Sequence, residues 1–222
     1  MQAATNTELI SFGDWTLRVR TSESKSPRLL VLLHGWTGDE NSMWIFTRGL
    51  SPDYWMIAPR APHIADPSGF SWRPLQISTF GSPSLEMLLP AAEGLINLID
   101  EYSASVKLDA RQFDLMGFSQ GAAMTNVMGM LYPNRIRRMG VLAGLVPAGL
   151  EELIPQKPLA GKKIFVAHGT QDQMIPIDRA RASMALLEQA GAQIIYCEDE
   201  VGHKLSVNCL RALENYLSAS DE

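Results

Sequence analysis

Six compact apolar runs recur along the chain, separated by stretches with helical periodicity, and this alternation constrains the fold more than any other feature. The runs are Leu29–Leu33, Tyr54–Ala58, Phe113–Met116, Met139–Ala143, Lys163–Ala167 and Gln193–Cys197. Most do not alternate apolar with polar residues, as a strand with one wet face would. They suit strands buried on both faces, as in a parallel sheet. Between them, Ser84–Tyr102 carries an apolar stripe at 3.6-residue spacing, and Gln120–Tyr132 is rich in Ala and Met and stops before Pro133. Arg179–Ala190 follows Asp178, a natural N-cap, and ends at Gly191, while Val207–Leu217 follows Ser206. Strand and helix alternating from Leu29 to Leu217 predict an α/β fold, a mostly parallel sheet with helices on both faces.

Ahead of this unit, Glu8–Arg20 reads as a hairpin turning at Gly13-Asp14. Inside it, Pro59–Pro83 holds five prolines interleaved with Phe70, Trp72, Leu75, Ile77 and Phe80, and is read as a long irregular loop. Nothing splits the chain, so residues 1–222 are expected to form a single domain. Only 19% of residues are charged, against about 25% in an average globular protein, which fits a sheet covered on both sides. A net charge of -5 argues against nucleic acid as a partner. The N-terminus has neither a basic region nor an apolar core of a signal peptide, and no stretch is long enough to span a bilayer. A cytoplasmic protein is expected, with Cys197 and Cys209 as two reduced thiols.

Gly117-Phe118-Ser119-Gln120-Gly121 fits the pattern Gly-x-Ser-x-Gly. The pattern alone is weak, but here it follows an expected strand and opens an expected helix. A sharp strand-to-helix turn needs glycines on both sides and leaves the serine hydroxyl exposed. A serine hydroxyl needs a base, and the chain has four histidines: His34, His63, His168 and His203. In this class of fold the order along the chain is Ser, acid, His. His168 and His203 both satisfy that order, but His168 leaves only Glu151 and Glu152 as acids between, so Asp172 and His203 are chosen, with Asp199 the nearest rival acid; His34 and His168 are expected to be structural. Backbone N–H groups of Gln120, next to the serine, and Trp36, in the glycine-rich loop after the first buried strand, are candidate donors to an oxyanion. Phe70, Trp72, Leu75 and Phe80 are candidate substrate contacts. No His-x-x-x-His pair or Cys-x-x-Cys is present, so no metal is expected.

The segments Leu33–Glu40, Ala58–Pro62, Phe70–Trp72, Gly117–Gly121, His168–Pro176 and Gly202-His203 together resemble the phospholipase/carboxylesterase family of α/β-hydrolases, which includes bacterial carboxylesterases and acyl-protein thioesterases. The resemblance implies Ser119 as nucleophile, Asp172 as acid, His203 as base, and Trp36 and Gln120 as oxyanion donors. It also implies no cofactor, a minimal lid, a small-molecule ester as substrate and, in many members, a homodimer. The chain departs from the family pattern at Trp36, at Ala143 and at Arg73-Pro74. The expected activity is hydrolysis of short- to medium-chain carboxylic esters. Acyl thioesterase, lysophospholipase and a non-catalytic hydrolase-fold binding protein stay open as rival readings at this point.

Overall fold

A computed structural model of the chain describes residues 7–74 and 82–219. The elements, in chain order, are β1 (Glu8–Phe12), β2 (Trp15–Arg20), β3 (Arg28–Leu33), β4 (Tyr54–Pro59), β5 (His63–Ile64), β6 (Phe70–Ser71), α1 (Leu85–Ser105), β7 (Phe113–Phe118), α2 (Gln120–Leu131), β8 (Ile136–Leu142), β9 (Lys163–Gly169), α3 (Ile177–Gln189), β10 (Gln193–Asp199) and α4 (Val207–Ser218). Eight strands form one sheet in the order β1-β2-β4-β3-β7-β8-β9-β10. The hairpin β1–β2 is antiparallel and joins β4 antiparallel, and every pair from β4 to β10 is parallel. This is the α/β-hydrolase arrangement.

The unbroken apolar runs have a direct cause. Alternate residues of each strand enter different hydrophobic cores. Leu29, Val31 and Leu33 of β3 pack with Phe113 and Leu115 of β7 on one face, against α1, α2 and α3. Leu30 and Leu32 pack with Met116, Phe165 and Ala167 on the other, against Leu213 and Leu217 of α4. Full burial of each such side chain contributes about 1.5–3 kcal/mol, so neither face of the central strands tolerates a polar residue without a partner.

Asp114 of β7 is the exception that shows the rule. It is fully buried, and its carboxylate accepts from Arg137 Nε at 2.9 Å and from an Arg137 terminal nitrogen at 2.8 Å, and also from the Tyr54 hydroxyl. Burial, with the carboxylate beside it, pushes the Tyr54 phenol well above the usual range, so it stays a donor.

The structure differs from the sequence expectations in three places. Helix α3 starts at Ile177 with Pro176 as its N-cap, so Asp178 lies in the first turn instead of capping. The Pro59–Pro83 segment is not wholly irregular: β5 and β6 pair antiparallel, and Thr37 N–H donates to Phe70 O (3.1 Å) while Phe70 N–H donates to Gly38 O (2.9 Å). The isolated bridge to Gly38 lies some thirty residues upstream, at positions no local pattern marks. Cys197 and Cys209 are bonded to each other and are not two thiols; the end of β10 and the first turn of α4 bring their Cα atoms 5.5 Å apart, within the span of a disulfide. No helix among the described residues is long and apolar enough to cross a membrane.

Replacing Asp114 with alanine takes the carboxylate from the half-buried Arg137 guanidinium and leaves the buried Tyr54 hydroxyl with Leu217 O (2.9 Å) as its acceptor. We expect a loss of about 3–5 kcal/mol in unfolding free energy, measured by urea denaturation; a loss below about 1 kcal/mol shows that the network is solvated.

Candidate active site

The chain leaves the C-terminal ends of β3, β7, β9 and β10 on one edge of the sheet, where ligands bind in open α/β sheets. Each loop there delivers part of the site. After β7 the backbone turns at Ser119, with φ 54° and ψ -113°, a region that costs a non-glycine residue about 1–3 kcal/mol. Two close approaches hold it there. A Cβ on Gly117 would lie 2.1 Å from Gly121 O, and one on Gly121 would lie 2.0 Å from Leu33 O. Only glycine allows β3, β7 and α2 to meet at these distances. The turn is then tied down by Ser119 N–H donating to Leu142 O (2.9 Å), and Ser119 O accepts from the first turn of α2.

After β10, His203 faces this serine. Its Nδ1 lies 2.6 Å from Asp172 Oδ2 and its Nε2 lies 2.9 Å from Ser119 Oγ. An ionised carboxylate only accepts, so the proton sits on Nδ1 and the lone pair of Nε2 is turned to the serine hydroxyl. Asp172, after β9, is buried and fully used: its Oδ1 accepts from Met174 N–H (2.8 Å) and Ile175 N–H (3.0 Å). The Phe118 ring, 5.0 Å from the His203 ring, walls the imidazole on its far side. Ser119, His203 and Asp172, drawn from three loops 31 and 84 residues apart, form one hydrogen-bonded line.

The remaining sequence candidates fall in different places. Trp36 and Gln120 both line a cavity of about 380 Å³ that opens at Ser119. The loop carrying Trp36 presses on the serine turn, since a Cβ on Gly35 would lie 3.3 Å from both Phe118 O and Ser119 Cβ. Trp72 is not in the cavity wall. It is fully buried beneath it, where its Nε1 donates to His34 O (2.8 Å) and its ring lies 5.2 Å from that of His34. Phe70 packs under the Arg60 guanidinium, 4.6 Å from it, and is also absent from the described wall. Both side chains are engaged in anchoring loops, Trp72 through His34 and Phe70 through Arg60. Leu75 and Phe80 lie outside the described residues.

Besides His168, which has the structural role expected of it, two features were missed at the sequence level: the anchoring by the Gln120 side chain and three residues of the cavity wall. His168, beside the acid, donates from Nε2 to Ile175 O (2.8 Å), with Asp172 Oδ2 at 3.4 Å, and so braces the loop that carries Asp172. The Gln120 side chain bolts down the loop after β6: its Oε1 accepts from Trp72 N–H (2.9 Å) and its Nε2 donates to Ser71 Oγ (3.0 Å). Arg73, Met174 and Ile175 line the cavity. Met174 and Ile175 lie two and three residues after Asp172 in sequence, a signal that was available. His34 holds the opposite loop, its Nε2 accepting from Ala61 N–H (3.0 Å) and its Nδ1 contacting Gly35 O (2.7 Å). Burial pushes its pKa down, which keeps it neutral and able to accept.

With this geometry in place, relatives can be compared. Residues 16–221 match the phospholipase/carboxylesterase family. Carboxylesterase SOBER1 of Arabidopsis thaliana is 32% identical over 144 residues, which are 62% of this chain and 61% of that protein, so the match spans less than two thirds of its length. A probable carboxylesterase of the same plant, SOBER1-like, is 32% identical over 222 residues, covering 91% of this chain and 82% of its own. The crystal structure of a carboxylesterase from Mesorhizobium loti superposes with a TM-score of 0.82 at 21% identity, over 97% of this chain and all of the other, which is a likeness of fold. The chain belongs to the phospholipase/carboxylesterase family of α/β-hydrolases. It is a hydrolase of carboxylesterase type.

One ion pair secures the loop that bears Trp36. Glu40, buried, accepts from Arg60 Nε (2.8 Å) and from a terminal nitrogen (2.9 Å), and this contact holds its carboxyl below the usual range. A depressed folded-state pKa contributes stability above the unfolded value of 4.5 and loses it as pH falls through the folded one. Glu40→Gln is therefore expected to lower Tm at neutral pH. The gap to wild type should narrow steadily as the pH of the thermal scan is taken below 4.5; a gap independent of pH contradicts the pairing.

Proposed function

We propose that this chain is a serine carboxylesterase acting on short- to medium-chain carboxylic esters through an acyl-enzyme on Ser119. The hydrogen-bonded line from Ser119 through His203 to Asp172 carries this reading. In the first half-reaction Ser119 Oγ attacks the ester carbonyl while His203 Nε2 takes its proton. Asp172 keeps Nδ1–H aligned and stabilises the imidazolium that forms. The tetrahedral oxyanion collects the backbone N–H groups of Gln120, in the positive first turn of α2, and of Trp36. Collapse breaks the ester C–O bond, and His203 returns the proton to the departing alcohol. In the second half-reaction His203 draws a proton from water, which attacks the acyl carbon and frees the acid and Ser119. These steps need no group beyond the named residues and water.

The cavity supports a small acyl or alcohol portion. Its volume of about 380 Å³ lies at the lower end of the usual range for ligand pockets, and Ala123, Leu145, Met174 and Ile175 give it an apolar wall.

A panel of p-nitrophenyl esters and matched acyl thioesters of increasing chain length tests the reading. Ser119→Ala should lose roughly 10³-fold or more in kcat on every substrate; hydrolysis undiminished in that variant would falsify the mechanism. Faster turnover of the thioester than of its matched ester at every length reassigns the substrate to the thioester class, and a rate that climbs steadily with chain length reassigns it to lysophospholipids. Because His203 acts with its Nε2 lone pair free, kcat/KM should fall on the acid side about tenfold per pH unit. A profile flat down to pH 4 excludes a histidine base.

A further inference from the structure

Asp172 Oδ2 lies between two imidazoles. One is His203, whose Nδ1 is 2.6 Å away; the other is His168, whose Nε2 is 3.4 Å away. The side chains of His168 and Asp172 are both fully buried. His168 Nε2 also meets Ile175 O at 2.8 Å. A carbonyl and a carboxylate only accept, so the proton of His168 sits on Nε2. Its Nδ1 is buried with no partner, and a second proton there would find no acceptor. His168 is therefore held as the neutral Nε2–H tautomer, the reverse of the one His203 uses.

Ile175 closes the arrangement. Its N–H donates to Asp172 Oδ1 (3.0 Å) while its O accepts from His168, and Met174 N–H donates to the same Oδ1 (2.8 Å). The loop's own backbone thus occupies Oδ1, and Oδ2 is left to the two histidines. At 3.4 Å the contact from His168 is longer than its bond to Ile175 O. It acts as a charge–dipole contact, with the positive end of the N–H beside a carboxylate that no solvent reaches to screen.

The charged groups around the two rings are engaged elsewhere or exposed. Glu198 stands beside His168 on β10, and its carboxylate accepts from the Tyr196 hydroxyl (2.7 Å) and from Arg181 of α3 (3.1 Å), bonds that hold it below the usual carboxylate range. Asp199, at the end of β10, is held low by hydrogen bonds from the Ser206 hydroxyl, Glu200 N–H and Asn208. Both acids stay ionised across the range in which a histidine titrates. Asp178 and Arg179 of α3 are exposed, as are Glu200 and Lys204 on the His203 loop. Phe118 and Ser119, which meet His203 from the end of β7, carry no charge.

We propose that His168 is a positioning residue that works through Asp172: its Nε2–H dipole holds part of the carboxylate's charge and so restrains the basicity of His203. This rests on the esterase reading above and deepens it. An Asp172 with its full charge turned on His203 would stabilise the imidazolium too well, and the ring would stay protonated where it must accept the proton of Ser119.

The acid limb of kcat/KM on 4-nitrophenyl acetate reads the base of the free enzyme. His168→Phe keeps a ring and removes the N–H. The limb should move to higher pH by about 0.5, a roughly threefold change in the protonation equilibrium. His168→Gln returns an amide donor near the place of Nε2 and should bring the limb back toward that of wild type. Where His168→Phe does not fold, His168→Met, which also lacks the donor, takes its place. A long-range ¹H–¹⁵N spectrum of wild type labelled at the histidine nitrogens needs no variant, and should show the His168 proton on Nε2 and none on Nδ1.

A limb left in place while Tm and kcat fall is the signature of a purely structural His168 and overturns the proposal. A limb displaced to lower pH, the mark of an Asp172 drawn away from His203, overturns it too, as does a His168 proton found on Nδ1. Wild type inert on 4-nitrophenyl acetate, or activity undiminished in Ser119→Ala, overturns the esterase reading and this inference with it. Activity that depends on Ser119 but whose acid limb ignores the His168 donor overturns this inference alone.

Discussion

The site depends on a contact between backbones. At the end of β7 the chain must reverse sharply enough to expose Ser119 and still start a helix, and it does so by bringing α2 against the end of β3 with no side chain between. The missing Cβ atoms at Gly117 and Gly121 make that approach feasible, and the left-handed backbone of Ser119 is its consequence. The strain is local. It is offset by the ladder of the parallel strands and by the two apolar cores that grip each strand from both faces. A looser core would let the turn relax and the hydroxyl swing from His203.

Charge is deployed sparingly around this frame. Asp114 with Arg137 ties β7 to β8, and Glu40 with Arg60 ties the loop after β3 to the one after β4. Neither pair touches the reacting groups. Each fixes a strand or loop whose displacement would move Trp36 or Ser119, which explains why charges are spent in places where burial makes them costly. Neutral His34 and His168 perform a similar duty with hydrogen bonds alone.

Much of this could be read from residues in order. The apolar runs became strands because their lack of alternation reports two buried faces, and Ser84 and Ser206 cap helices as their side chains allow, accepting from Met87 N–H and Cys209 N–H. That Ser119, Asp172 and His203 would meet was legible because chain order and the Gly-x-Ser-x-Gly turn leave few ways to place them. What escaped was set by partners far away in sequence. The ribbon β5–β6 docks on Gly38 and Thr37, the bond between Cys197 and Cys209 arises from packing α4 on β10, and Trp72 and Phe70 are engaged by His34 and Arg60. The start of α3 was misjudged for a local reason: Pro176 already supplies a fixed φ of -54°, so no capping side chain is needed at Asp178.

The disulfide has a geometric effect on the three functional side chains that sets one of them apart. It joins residues separated by 12 positions, and His203 lies between them. Ser119 and Asp172 are held to the rest of the molecule by non-covalent contacts along an open chain. The imidazole instead rides on a small closed ring whose two ends are the edge strand β10 and the first turn of α4. A backbone cut inside that ring would leave both fragments covalently attached, and a fluctuation that peels β10 from the sheet would carry α4 with it. His203, at the sheet's outermost parallel strand, thereby shares the fate of a helix packed on the central core.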